Sequence, residues 1–138
     1  MTAITPLEFI HKKGIFGDHQ KKNESDLLKI SEVKNLVIIQ IVQYKGSKIN
    51  INDIKIEGLE VPTQNSKVNS NKETRILWSA PRIFLILSSN EKVIETVQKN
   101  FKDTDFAITD ISHSRAVIQI QGHHAKEILK KGSPINFN

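Results

Sequence analysis

The sequence predicts an α+β fold, strands and helices mixed in one small domain. Three observations predict it. Residues 36–42, Leu-Val-Ile-Ile-Gln-Ile-Val, are a nearly continuous β-branched run too short for a buried helix, so they read as a strand covered on both faces. Two further strand signals, Arg75-Ile-Leu-Trp-Ser79 and Ile83-Phe-Leu-Ile-Leu87, flank Ala80-Pro81-Arg82. Val93, Ile94, Val97 and Phe101 then fall at helical spacing.

Taken in order, residues 1–35 differ from the rest. They hold Lys12-Lys13, Lys21-Lys22, Gly14 and Gly17, with apolar side chains only in clumps such as Phe9-Ile10 and Ile15-Phe16. This reads as an irregular leader or arm with a short helix over 25–30, either packed on a partner or mobile. The remaining residues, 36–138, read as a single α+β domain. Gly46 ends the first strand. Residues 48–57 alternate apolar and polar, which favours a strand. Gly58, Pro62 and the Asn/Ser/Lys stretch over 64–72 make a polar loop. Pro81 cannot donate to a ladder, so the break between the next two strands falls beside it. Ser88-Ser-Asn-Glu91 fits a capping box ahead of a helix over about 90–101. Residues 106–111 and 116–121 alternate around Ser112-His113-Ser114, as one bulged strand or as two strands with a tight corner. Gly122 ends that element. Ala125, Ile128 and Leu129 mark one face of a last helix, with Lys130 and Lys131 at the negative end of its dipole and Gly132 and Pro134 as its stop.

Composition removes several classes. A chain of 138 residues is one domain's worth and can bury a core without staples. Cysteine is absent, which excludes disulfides, thiolate metal sites and a cysteine nucleophile. No apolar run approaches the roughly 20 residues of a membrane span, and Met1-Thr-Ala-Ile-Thr-Pro6 lacks the order of a signal peptide. A cytoplasmic protein with no membrane partner is the expectation. The net charge is +5, yet only three of the twenty cations are arginine (Arg75, Arg82, Arg115). Arginine is the favoured reader of phosphates and bases, so no nucleic-acid partner is expected. Lys, Ile and the eleven Asn rising together resemble the codon bias of an AT-rich genome.

Candidate chemistry is sparse. The adjacent His123 and His124 point about 100 degrees apart on a helix and do not form an i, i+4 ligand pair; no metal site is expected. Asp110, Ser112 and His113 contain the residue types of a hydrolase triad, but three residues this close in sequence rarely reach its geometry. Their better reading is local: Asp and Ser side chains bonding the backbone where a strand kinks, with Arg115 available for an ion pair. Trp78, the only Trp, packs in a core more often than it stacks on a ligand. Asp103 and Asp105 are read as solvated turn carboxylates. No catalytic residue emerges.

Residues 110–137 run Asp-Ile-Ser-His-Ser-Arg, an alternating strand, Gly122-His-His-Ala125, a helix with Leu129, then Lys131-Gly-Ser-Pro134-Ile-Asn-Phe137. This resembles the signature of the gamma subunit of heterotetrameric sarcosine oxidase. Leu77-Trp-Ser-Ala-Pro-Arg-Ile-Phe-Leu-Ile86 resembles that family's strand pair, and Gly58-Leu-Glu-Val-Pro62 the segment before it. A related Asp-x-Ser-His strand followed by Gly-x-x-Ala occurs in the T-protein of the glycine cleavage system; the Lys-Gly-x-Pro continuation points to the gamma subunit. Ser133 stands for the family's Cys, Asn136 for Asp, Ala80 for Gly, Phe84 for Trp and His123 for Pro. The chain ends where the family continues through a second half of the sheet.

The resemblance implies a short helix within 48–57. The order from Leu36 then becomes a split β-α-β-β-α-β unit, the ferredoxin-like arrangement, as one half of a T-protein-like folate-binding domain. It further implies a non-catalytic subunit of an oxidoreductase complex that demethylates sarcosine to glycine, yields hydrogen peroxide, and passes the one-carbon unit to tetrahydrofolate or releases formaldehyde. Alpha, beta and delta subunits are the implied partners and carry FAD, FMN, NAD, tetrahydrofolate and zinc, none of them bound by this chain. The isolated chain, with an exposed sheet edge, is expected to self-associate. The rival implication is a free-standing folate-binding or aminomethyltransferase-like protein, in which Trp78, Asp110, Ser112, His113 and Arg115 line a pteridine pocket.

Overall fold

The computed structural model describes residues 5–10, 12, 14–16, 19–135 and 137. Among them the regular elements are β1 (Lys29–Val33), β2 (Val37–Gln43), β3 (Lys55–Ile56), β4 (Leu59–Glu60), β5 (Val68–Ser70), β6 (Thr74–Ala80), β7 (Ile83–Ser88), α1 (Val93–Asn100), β8 (Phe106–Asp110), β9 (Val117–Gln121) and α2 (Ala125–Gly132). The fold is mixed, with two helices and antiparallel ladders throughout. Two compact units divide it: residues 35–115, and residues 1–34 together with 116–138.

The larger unit is built on a five-stranded sheet in the order β5-β6-β7-β2-β8. Alternation puts Ile39 and Ile41 of β2, Ile76 of β6, Phe84 and Ile86 of β7 and Phe106 of β8 on one face, all buried. Onto that face α1 lays Val93, Val97 and, one turn on, Phe101, the 93/97/101 spacing of a single helical stripe. Phe101 meets Phe106 edge to face, ring centroids 4.9 Å apart at 86°. Ile38, facing the opposite way on β2, is also buried, but Gln40 and Val42 on that face are only part-buried, so the strand is fully covered on one face and partly on the other. One polar pair sits inside: Thr74 Oγ1 and Ser88 Oγ, 2.8 Å apart, with Ser88 Oγ also accepting the Asn90 N–H at 3.0 Å.

That last bond revises the capping box. Ser88 belongs to β7; the turn ahead of α1 is held instead by Asn90, whose Oδ1 accepts the Lys92 N–H at 3.1 Å, and the helix starts at Val93. Residues 48–57, which alternate like a strand and which the resemblance makes a helix, are mostly neither. They form a 3-10 turn at Ile51–Asp53, capped by Asn50 Oδ1, and then the two-residue strand β3. The β3–β4 hairpin turns through Glu57 and Gly58 at φ 50° and 79°, the two positive angles of a type I′ turn. Three asparagine side-chain amides hold it from outside: Asn69 Nδ2 donates to Glu60 O (2.7 Å), Asn71 Nδ2 to Glu57 O (3.1 Å) and Asn100 Nδ2 to Lys55 O (3.3 Å). The β6–β7 hairpin turns at Pro81-Arg82, with Arg82 at φ 65°, an angle normally left to glycine. Arg82 O accepts the Gln43 N–H of the neighbouring β2 at 2.9 Å.

The smaller unit corrects the reading of the leader. Residues 29–33 are not irregular: they form β1, paired antiparallel with β9 from Lys29 opposite Gln121 to Val33 opposite Val117. The short helix expected over 25–30 reduces to a 3-10 turn at Glu24–Asp26. Thr5 Oγ1 donates to Glu32 Oε2 (3.0 Å) and Lys34 Nζ to Glu8 Oε2 (3.1 Å), fastening residues 5–10 to β1 and the residue after it. Gly122, at φ 130°, has a reason beyond ending β9: a Cβ there would lie 2.7 Å from Leu27 O. α2 follows as the sequence predicts, but no described residue of this unit is buried.

Two substitutions test this account. Ile86→Ala empties a fully buried position and is expected to cost about 2–5 kcal/mol, whereas Arg82→Gly relieves a left-handed angle and should raise stability by roughly 0.5–1 kcal/mol. Urea unfolding midpoints measure both.

Candidate functional site

The corner after β8 holds four of the five residues proposed for a ligand pocket. β8 pairs with β2 from Phe106 opposite Gln43 to Asp110 opposite Ile39, and the Ile111 N–H still reaches Ile38 O at 2.9 Å. The chain then winds into a 3-10 turn at Ser112–Ser114. That turn carries the backbone away from β2, and Ser112 Oγ accepts the Ile38 N–H at 2.9 Å. The same hydroxyl donates to Asp110 Oδ1, which also accepts the Ser112 N–H at 2.9 Å. Ser114 Oγ closes the turn on Ile111 O at 2.9 Å.

This is the local reading of the Asp-x-Ser-His run made physical. A catalytic serine needs its hydroxyl proton directed at a base; here the proton goes to Asp110 and a lone pair is used by a backbone N–H. His113 is exposed and bonds neither Asp110 nor Ser112. Arg115 is exposed and makes no ion pair among the described residues. The Ser112 hydroxyl, then the Ser112 backbone N–H, hold the Asp110 carboxyl below its ordinary range, with the nearby His113 adding a small pull the same way.

Trp78 lies elsewhere on the sheet. It sits on β6 opposite Phe84, half-buried against the core, with β7 and β2 between it and β8. Three strand spacings put it about 14 Å from the Asp110 strand. Two open surface depressions, one beside Phe101 and Ile108 and one between β4 and β5, contain none of the five residues. Asp105 keeps its charge busy within the turn: the Ser47 hydroxyl first, then that of Thr104 (2.9 Å) and the charge of Lys102, lower its pKa. His123 and His124 are exposed, and His124 Nδ1 meets Glu127 Oε2 at 3.1 Å. No group of three or more metal-ligating side chains gathers among the described residues, and none of their helices is long and apolar enough to cross a membrane.

What the sequence reading missed is the partner of β9. Lys29-Ile-Ser-Glu-Val33 carries only two apolar residues, one of them 53% exposed, and its ladder partner lies 88 residues on at the Ser31–Gln119 pair. No local pattern announces such a strand.

The architecture is thus that of an antiparallel α+β protein whose most motif-like corner is used for holding strands together. No family model and no curated protein sequence matches the chain. Among solved structures the fold is similar to that of a chain of the heterotetrameric sarcosine oxidase from Corynebacterium sp. U-96, in complex with pyrrole 2-carboxylate, with a TM-score of 0.71 and 22% identity. The match covers 84% of this chain and 60% of that one, so the protein spans about three-fifths of its neighbour's length. At this identity the likeness shows the fold.

The corner makes two testable statements. Ser112→Ala strands the Ile38 N–H and is expected to cost about 1–3 kcal/mol. Asp110 has a folded pKa below its unfolded one. Its stabilisation is therefore complete above the unfolded value and lost as pH falls through the depressed one. The stability advantage of the unaltered chain over Asp110→Asn should therefore be constant near neutrality and shrink in acid, below about pH 4; thermal melts across pH measure it.

Proposed function

We propose that this chain is a non-catalytic, interface-forming subunit of a sarcosine-oxidase-type complex, equivalent to its gamma subunit. The observation that carries the reading is the shared fold with a chain of a heterotetrameric sarcosine oxidase, reached independently of the motif at residues 110–137 that resembles the same family. The strand order β6-β7-β2-β8 supports the split ferredoxin-like unit. In this unit the β3–β4 hairpin and its 3-10 turn stand in the first crossover where a helix is usual. As one half of a T-protein-like domain, the chain holds no folate itself; flavin, nucleotide, zinc and one-carbon chemistry belong to the alpha, beta and delta subunits. Those subunits oxidise sarcosine with O2 to glycine and hydrogen peroxide, the methyl carbon leaving as formaldehyde when water takes it up or as the methylene adduct of tetrahydrofolate when that is the acceptor. The binding surface is the leader and β1 side of the smaller unit, which carries Phe9, Ile10, Ile15, Phe16 and Ile30 exposed.

Co-expression with the other three subunits tests the reading. The expected result is co-purification in fixed stoichiometry, with oxidase kcat unchanged by His113→Ala or Arg115→Ala. A chain that elutes alone overturns it. So does micromolar tetrahydrofolate binding by the isolated chain in calorimetry, which would instead establish the folate-binding rival.

A further inference from the structure

We propose that β9 is a self-pairing edge: two copies of this chain join their β9 strands antiparallel about Gln119, merging two two-stranded sheets into one of four. The inference goes beyond the subunit reading and does not depend on it. β9 is hydrogen-bonded to β1 on one side and, among the described residues, has no ladder on the other. Alternate residues of such a strand turn unmet N–H and C=O groups outward.

The two edges of this small sheet are treated differently. β1 carries charges, Lys29 and Glu32, the ordinary device against edge pairing. It is also flanked by residues 5–10 through the Thr5–Glu32 and Glu8–Lys34 contacts. β9 has neither protection. Ala116-Val-Ile-Gln-Ile-Gln-Gly122 contains no charge and no proline.

The strand also reads well against itself. An isologous contact brings one surface to its own copy about a two-fold axis. Centred on Gln119, the register sets Ile118 opposite Ile120 twice, a four-isoleucine cluster on one face, with Gln119 opposite Gln119 on the other. Ile118 is 55% exposed in the single chain, so the cluster covers surface now in water. A second copy is therefore the occupant that the strand's own sequence specifies. The need for one is physical: a two-stranded sheet is at best marginal in water, and this unit buries none of its described residues.

The absence of cysteine allows a register-specific test on the full-length chain. Under oxidation, Gln119→Cys is expected to give a disulfide-linked dimer, because the two positions face each other across the axis, while Lys29→Cys on β1 stays monomeric. By sedimentation equilibrium the unaltered chain should dimerise reversibly. Ile118→Lys, at an exposed position, should weaken that association by about tenfold or more, leave the far-UV circular dichroism of the folded chain unchanged, and remove the rise of the melting temperature with protein concentration that the unaltered chain shows. The proposal is overturned by a monomer at the highest concentration reached, by a dimer indifferent to Ile118→Lys, or by cross-linking at position 29 equal to that at 119. Pairing that appears only when oxidase subunits are added would overturn it too, since the edge would then serve a different chain.

Discussion

The Ile38 N–H has to find an acceptor at the point where the sheet stops providing one. β8 follows β2 as far as Ile111 and then turns away, and a buried interior strand left with an unmet donor loses about the free energy of a good hydrogen bond. Ser112 resolves this with one hydroxyl that accepts from Ile38 and donates to Asp110. The chain can therefore leave the five-stranded sheet abruptly and begin β9, in a different sheet, three residues after the 3-10 turn.

The Asp-x-Ser-His run has a structural task at this corner. The spacing that places a carboxylate two residues before a hydroxyl suits a strand-ending turn, and the two side chains satisfy each other and the backbone. The exposed His113 and Arg115 at the same corner are not consumed by it, and remain available to whatever the chain meets.

The larger unit was legible because its signals are local and strong. Residues 36–42 are rich in β-branched side chains, Pro81 punctuates two strands, and Val93, Val97 and Phe101 mark a helical stripe. Each needed only its own neighbours to be read. The failures share the opposite property. β1 is defined by a ladder to residues 117–121, and its five residues carry no periodic pattern. Residues 48–57 alternate like a strand, yet Asn50 caps a 3-10 turn and the chain pairs for two residues only. At the candidate site the local bonding of Asp110 and Ser112 was foreseeable from their types; the acceptor role toward Ile38 was not, because 74 residues separate the partners. Trp78 could be placed on a strand, but its distance from the corner follows from the strand order alone.

The asparagine content looks at first like compositional drift, but three of these side chains have a task that no carboxylate could perform. Asn69, Asn71 and Asn100 each aim an NH2 group at a carbonyl of the β3–β4 hairpin. Hydrolysis of any one amide, the slow spontaneous damage to which asparagine is prone, would replace a donor by an anion facing an oxygen. Ageing of the protein would then act through repulsion at the hairpin, loosening the segment whose Ile56 closes one end of the core while the five-stranded ladder stayed intact.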